Sequence, residues 1–198
     1  MSGSIADNVG RASGVIAAAG GGGTVLQVKS AQTGAYYTTT GTGLGASATE
    51  LTAFATTMTP AAASSHFLIT GQLHLNHYTS YCGRAWLTYN HSGISETVIK
   101  SDTNSYGCTW NYCMPSSSSV SDMIGAMGCN FHVAPATTNA ITFKLYHSTA
   151  NSGYASYMNG TSTNSTNSTD GGNTISSLTF WEIAGGITPA VTNASIDT

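Results

Sequence analysis

The feature that most limits the fold of this chain is a succession of short runs rich in Val, Ile, Thr, Tyr and Phe, separated by Gly, Ser, Asn or Pro. Such runs favour β-strands, and the separators favour turns. Residues 66–76 carry large apolar side chains at alternate positions, which predicts a strand with one buried face. No segment keeps an apolar period of 3.6 residues between helix start and stop signals. We therefore expect an all-β fold, an antiparallel β-sandwich of jelly-roll type with about eight to ten strands.

The predicted organisation has three parts. Residues 1–23 form an extended N-terminal arm that ends in a glycine hinge, residues 24–184 form the β-sandwich, and residues 185–198 form a C-terminal tail. The arm has too few large apolar residues to build a core of its own, so we expect it to attach the domain to other proteins. The candidate attachment residues are Ile5, Val9, Arg11, Val15 and Ile16.

Two segments of the predicted sandwich look unlike strands. Residues 102–119 are irregular and aromatic, and residues 152–173 form a polar, low-complexity loop that we expect to stay outside the core. The predicted strands lie within residues 25–28, 34–42, 51–58, 66–76, 84–90, 97–101, 121–132, 140–147 and 177–183.

The charge content of the chain excludes several partners. Charged residues make up 7% of the sequence, with five Lys and Arg against eight Asp and Glu. Because so few cations cannot neutralise a phosphate backbone, we expect no nucleic-acid partner. No apolar run reaches the roughly 18 residues that a membrane span needs, so we expect no membrane insertion. The first residues lack a basic segment followed by an apolar core, so we expect no signal peptide.

Cysteines and histidines give only weak signals for metal or redox chemistry. Synthesis in a reducing cytoplasm favours buried free thiols for the four cysteines, although a disulfide clip between Cys108 and Cys113 stays open. His74 and His77 are three residues apart, so on a strand they point to opposite faces and do not converge on a metal ion. We expect histidines at the surface or at a subunit interface, no metal site and no cofactor.

The sequence also lacks the usual signatures of hydrolytic enzymes. It contains no G-x-S-x-G motif, and its acids are scattered singly rather than paired as glycoside hydrolysis requires. Glu182 is the one acid inside an apolar strand, and we interpret it as an outward-facing or hydrogen-bonded residue rather than a catalytic acid. We therefore expect a protein that is not an enzyme.

Recognition, if the chain performs any, should lie in the two irregular segments. Aromatic rings stack on sugars, and hydroxyl and amide groups donate and accept hydrogen bonds without charge, so these segments suit a host-surface glycan. The alternative is that the aromatic residues pack a crossing loop or a subunit interface. The candidate receptor-binding residues are Tyr106, Trp110, Tyr112, Asn159 and Asn164.

Several stretches resemble a β-rich, jelly-roll-like module of tail-fibre and other virion surface proteins of marine tailed bacteriophages. They are GGTVLQVK at 22–29, TMTPAAASSHFLI at 57–69, ATTNAITFKLY at 136–146 and ISSLTFWEI at 175–183, with the lead-in ADNVGRASGVI at 6–16. Residues 78–131 depart most from the module.

The resemblance implies a homotrimer displayed on a virion that is assembled in the cytoplasm of a bacterial host. Within this class, the chain is expected to be a tail fibre or tip protein that contacts a host glycan, or alternatively a head fibre or capsid decoration protein. Other virion proteins would then be partners through the arm. Outside the class, the alternative is a lectin-like carbohydrate-binding module.

Overall fold

A computed structural model describes residues 23–44, 47–77, 82–99, 109–113, 124–161 and 174–185, with the backbone alone at 110–113. These residues form twelve β-strands and one 3-10 helix, Thr52–Phe54. The strands are β1 (Val25–Thr33), β2 (Tyr37–Thr39), β3 (Thr49–Glu50), β4 (Thr56–Met58), β5 (His66–His77), β6 (Cys82–His91), β7 (Ile94–Ile99), β8 (Trp110–Cys113), β9 (Gly125–Val133), β10 (Ile141–Thr149), β11 (Ser156–Met158) and β12 (Ser176–Ile183).

Two antiparallel sheets pack face to face. In the first sheet, β12 and β11 pair with one edge of β5 and carry β1 and β2 on their far side, while β9 pairs with the other edge of β5. In the second sheet, β10 lies between β6 and the short strands β3 and β4, and β6 also pairs with β7 and β8.

The chain alternates between the sheets as it crosses from β2 to β3, β4 to β5, β5 to β6, β8 to β9, β9 to β10 and β10 to β11. This connectivity is that of a jelly roll. The predicted all-β sandwich is confirmed. The predicted arm, apart from Gly23, and the tail beyond residue 185 lie outside the described residues.

The core follows from the alternation predicted for β5. Phe67, Ile69, Leu73 and Leu75 are all fully buried. Across the sandwich, Phe143 of β10 packs with its ring centroid 5.5 Å from that of Phe67 and 4.9 Å from that of Phe180. Tilted aromatic pairs of this kind contribute roughly 0.5–1.5 kcal/mol beyond the burial of their area. The three rings therefore join the two sheets at the centre of the domain.

Polar side chains close the sandwich along the edge formed by β1 and β4. The ammonium group of Lys29 donates to the carbonyl of Thr57 at 2.7 Å, and the amide of Gln27 donates to the carbonyl of Thr59 at 2.8 Å. Unpaired carbonyls on an edge strand invite pairing with another chain. Because side chains of the first sheet occupy these carbonyls, this part of the edge is protected.

Three details of the predicted strands were wrong. Residues 51–58 are not one strand, because the 3-10 helix separates β3 from β4. Residues 110–113, placed in an irregular segment, form β8 and pair with β6. Residues 156–158, placed in a loop outside the core, form β11, where the Met158 side chain is fully buried. Three residues are too few for a period to be visible in so polar a sequence.

Candidate functional site

Most of the predicted receptor-binding residues cannot be placed at a surface. Tyr106 and Asn164 lie outside the described residues. Trp110 and Tyr112 belong to β8, where their backbones pair with Ala85 and Gly83 of β6. Their place in a paired strand differs from the open loop that the sequence predicted. The predicted attachment residues Ile5, Val9, Arg11, Val15 and Ile16 also lie outside the described residues.

The structure corrects the prediction that Asn159 contacts a receptor, because this residue is buried inside the fold. Its side chain is fully buried, and its amide donates to the carbonyls of Thr33 and Ala35, both at 2.9 Å. Its side-chain oxygen accepts from the hydroxyl of Ser176 at 2.6 Å. With φ of +62°, it adopts the left-handed conformation that Asn tolerates better than most residues. Asn159 therefore joins the segment that follows β11 to the end of β1. Because its side chain is buried, it cannot contact a receptor.

His77 was predicted at the surface or at a subunit interface and is instead fully buried within the fold. It points inward because it shares the odd-numbered face of β5 with Leu73 and Leu75, and its Nε2 lies 2.7 Å from the hydroxyl of Thr149. His74 lies on the opposite face, as predicted. Among the described residues no group of three or more His, Cys, Asp or Glu side chains could hold a metal ion.

The buried imidazole of His147 forms a His–Ser pair. Its Nε2 lies 2.8 Å from the hydroxyl of Ser156, and both side chains are fully buried. Burial, together with the nearby His77, lowers the pKa of His147 to about 3. A nucleophilic triad needs an acid on the other ring nitrogen. The Nδ1 atom of His147 has no hydrogen-bond partner within the described part of the chain, so the described residues do not complete such a triad.

The acids that looked isolated in the sequence meet on the outer face of the second sheet. The Tyr146 hydroxyl lies 2.9 Å from a carboxylate oxygen of Glu96 and 3.4 Å from one of Glu50. Lys144 forms an ion pair with Glu50 at 3.2 Å, and Thr88 donates to Glu96 at 2.6 Å. Burial, followed by the two carboxylates, raises the pKa of Tyr146 to about 12. Both acids are thus engaged by neighbouring strands in a cross-strand network.

Glu182 points inward, and the hydrogen-bonded interpretation is the one that the structure supports. The carboxylate is fully buried and accepts from the backbone N–H of Ala61 at 2.6 Å and from the amide of Gln27 at 2.5 Å. Two donors compensate for the loss of solvent around the charge. Glu182 therefore ties β1 and the turn before β5 to β12.

The outer face of the first sheet carries an apolar band. The register places Val28, Trp181 and Leu68 side by side on β1, β12 and β5, and Val25 beside Ile183 in the next row. Leu68, Trp181 and Ile183 alternate with buried residues, so their side chains point away from the core, and the register places Val28 and Val25 beside Trp181 and Ile183 on the same face. Val25 is 40% exposed and Val28 45% exposed. The band, defined by these five residues, has no cover among the described residues.

A row of hydrogen-bonding groups borders this apolar band. Ser30, Thr179, Thr70 and Asn130 lie side by side across β1, β12, β5 and β9. The Ser30 and Thr179 hydroxyls are 3.0 Å apart, and the indole of Trp181 donates to the Thr70 hydroxyl at 3.1 Å. The sequence did not suggest this surface, although the outward positions of residues 25–28 and 177–183 could be read from the strand period.

Comparisons with known proteins give a loose structural likeness. No family model and no curated protein matches the sequence. Among solved structures, a mutant VP2 protein of infectious bursal disease virus in T=1 particles superposes with a TM-score of 0.36 and 10% identity, over 80% of this chain and 40% of that one. A VP2 subviral particle of the same virus gives 0.35 and 10%, over 82% and 42%.

This chain thus spans less than half the length of each VP2 chain. At these TM-scores and identities, the likeness carries no inference about function. In the described residues, no helix is long and apolar enough to cross a membrane.

Proposed function

We propose that this chain is a structural subunit of a tailed-phage virion, a homotrimeric fibre or spike protein displayed on the particle surface. In this role it is a tail fibre or tip component that contacts a host glycan, and it catalyses no reaction. Residues 1–23 attach it to other virion proteins. The resemblance of residues 6–16 and of four stretches within 22–183 to phage virion modules supports the class, and the jelly-roll fold is consistent with it.

The observation that carries the proposal is the apolar band on the outer face of the first sheet. Val25 and Val28 are exposed, and their neighbours across the sheet, Ile183 and Trp181, are partly exposed. Contiguous apolar surface of this kind marks an interaction site in soluble proteins. A closed oligomer removes it from water in every copy at once. With charged residues at 7% of the sequence, few charges oppose the association.

A head fibre or capsid decoration protein is the alternative within the virion class. The location of the chain in the particle separates it from a tail protein. Outside the class, a lectin-like module is the alternative, and oligomeric state separates the two because a monomeric lectin-like module does not require a buried apolar band.

Incorporation into particles tests the proposal. Particles of the encoding virus should contain the full chain, and a reconstruction should locate it as a projecting trimer. A variant lacking residues 1–22 should keep its sheet content by circular dichroism but be incorporated at least about tenfold less. Absence of the full chain from purified particles contradicts the proposal, and normal incorporation of the truncated variant contradicts the role of the arm.

A further inference from the structure

Two tyrosines form an exposed aromatic surface at the end of the first sheet that carries β2 and β11. The rings of Tyr36 and Tyr157 stack with centroids 5.9 Å apart and an interplanar angle of 21°. Tyr36 is 38% exposed, and Tyr157 points outward because its neighbours Ser156 and Met158 are buried. The Tyr36 ring is thus both stacked on Tyr157 and accessible to solvent.

The register joins this aromatic pair to a cleft. Tyr157 lies directly opposite Thr38 in the pairing of β11 with β2. Thr38 in turn lines a cleft of about 470 Å³ whose other lining residues are Thr39, Thr40, Gly41, Ser47 and Thr49. This volume lies within the range of small-molecule sites. Stacked rings and a hydroxyl-rich cleft therefore meet at a single residue, Thr38.

The inner hydroxyls of the cleft are held in place by the fold. The Thr49 hydroxyl donates to that of Thr39 at 3.1 Å, and the Thr39 oxygen also accepts from the Gly41 backbone at 3.2 Å. The Gly41 carbonyl accepts from the Thr149 backbone at 2.7 Å. Thr38 and Thr40 are exposed, and within the described residues their hydroxyls form no hydrogen bond. The cleft thus combines a fixed floor with hydroxyls directed to solvent.

The chemistry of the lining selects the class of ligand. Each lining residue is Thr, Ser or Gly, so the cleft offers no charge to pair with a charged ligand. Hydroxyl groups both donate and accept, which suits a ligand that presents many hydroxyls of its own. Aromatic faces suit the apolar face of a sugar ring.

We propose that Tyr36, Tyr157, Thr38 and Thr40 form a binding site for a neutral saccharide. A sugar ring stacks on Tyr36, and the next unit of the saccharide enters the cleft and hydrogen-bonds to Thr38 and Thr40. The inference rests on the proposed function, since it gives a displayed subunit the chemistry of its glycan contact. Of its four residues, only Tyr157 lies in a segment that the sequence suggested, residues 152–173, and the other three lie at 36–40.

Saturation-transfer NMR tests the site. The probes are neutral trisaccharides of glucose, galactose, mannose and N-acetylglucosamine, offered one at a time to the full chain. At least one trisaccharide should receive saturation from the protein, and its saturation transfer should level off as its concentration is raised. Tyr36→Ala should weaken its binding about tenfold, which corresponds to the loss of one stacking contact. Tyr36→Phe should bind nearly as well as the parent, because it keeps the ring.

Two further variants keep the test decisive. Thr38→Val removes a hydroxyl at constant shape and should weaken binding several-fold, whereas the matched control Thr97→Val on β7 should have no effect. Tyr36 lies outside the strands, so a folded variant is expected, and circular dichroism checks it. Binding of no probe, or equal binding by the parent, Tyr36→Ala and Thr38→Val, overturns the inference. Sedimentation of the same samples reports the oligomer separately, so the failure of the site is distinguishable from failure of the proposed assembly.

Discussion

The Nε2 atom of His147 lies 2.8 Å from the Ser156 hydroxyl and thereby links the two sheets, since His147 belongs to β10 and Ser156 to β11. A second hydrogen bond also joins the two sheets, since Nε2 of His77 on β5 lies 2.7 Å from the Thr149 hydroxyl on β10. All four side chains are fully buried. At one end of the sandwich, buried hydrogen bonds therefore join the two sheets, whereas at the centre of the core packed aromatic rings join them.

These buried histidines predict that the fold loses stability on acidification at pH values higher than those at which carboxylates ordinarily titrate. Burial, and then His77, lower the pKa of His147 to about 3, whereas in the unfolded chain it is about 6.5. Between these values the unfolded state binds more protons, so stability is complete above pH 6.5 and is lost as pH falls. From pH 7 to pH 5, the free energy of unfolding should decrease by about 2 kcal/mol.

Urea unfolding at pH 7, 6 and 5 measures this loss, and His147→Gln should remove most of it. The control is His91→Gln, at a position where the imidazole contacts the carbonyl of Ser92 near the surface. The same pH dependence in the parent and in His147→Gln would show that this imidazole is not the responsible group.

Glu182→Gln should destabilise the domain although it changes the side chain by one atom. The carboxylate accepts from the Ala61 backbone and the Gln27 amide, and the new amide would turn a donor toward one of them. A buried donor without an acceptor costs about 1–3 kcal/mol. Chemical denaturation measures the loss. Glu50→Gln, at a side chain that is 31% exposed, should cost less than about 1 kcal/mol. Equal effects of the two substitutions would refute the account of Glu182.

Cys129 should be inert toward thiol reagents in the folded protein. It is a free cysteine, and burial raises its pKa to about 12, so the reactive thiolate is scarce at pH 8. Labelling by iodoacetamide at pH 8, followed by mass spectrometry of the peptide that contains Cys129, should be at least about a hundredfold slower in buffer than in urea. Similar rates in the two solvents would mean that the thiol is exposed.

The strand period predicted the sandwich because it reports which side chains face inward. It placed Phe67 and Leu75 on the buried face of β5, where the structure has them. It could not predict β11, since a strand of three residues holds no period. The free thiol expected for Cys129 is present, but Cys82 is disulfide-bonded, and its register neighbour on β8 is Cys113. The redox state expected for a cellular compartment does not indicate which cysteines lie opposite each other on paired strands.

Candidate sites were harder to predict because they depend on which strands become neighbours. Asn159 looked like a loop residue in a polar stretch, yet its amide satisfies the carbonyls of Thr33 and Ala35 far away in the sequence. Tyr36 and Tyr157 are stacked only because β2 pairs with β11. Composition indicated that recognition would use aromatic and hydroxyl groups but could not indicate which of them meet.

The apolar band predicts the effect of one charge on assembly. Val28→Glu places a carboxylate in the band beside Trp181, where burial in an interface would leave it without a partner. The variant should stay folded, because Val28 is exposed, but its association constant should fall at least about a hundredfold. Ser95→Glu on β7, at the opposite edge of the sandwich, should assemble like the parent. Dilution series by mass photometry or light scattering measure both.

Sedimentation equilibrium of the full chain at micromolar concentration tests the central claim most directly. We expect a single species with three times the 20.3 kDa mass of one chain, and a shift of Val28→Glu toward the monomer mass under the same conditions. A parent protein that sediments as a stable monomer would contradict the proposal that the apolar band is an assembly surface of a trimeric virion subunit.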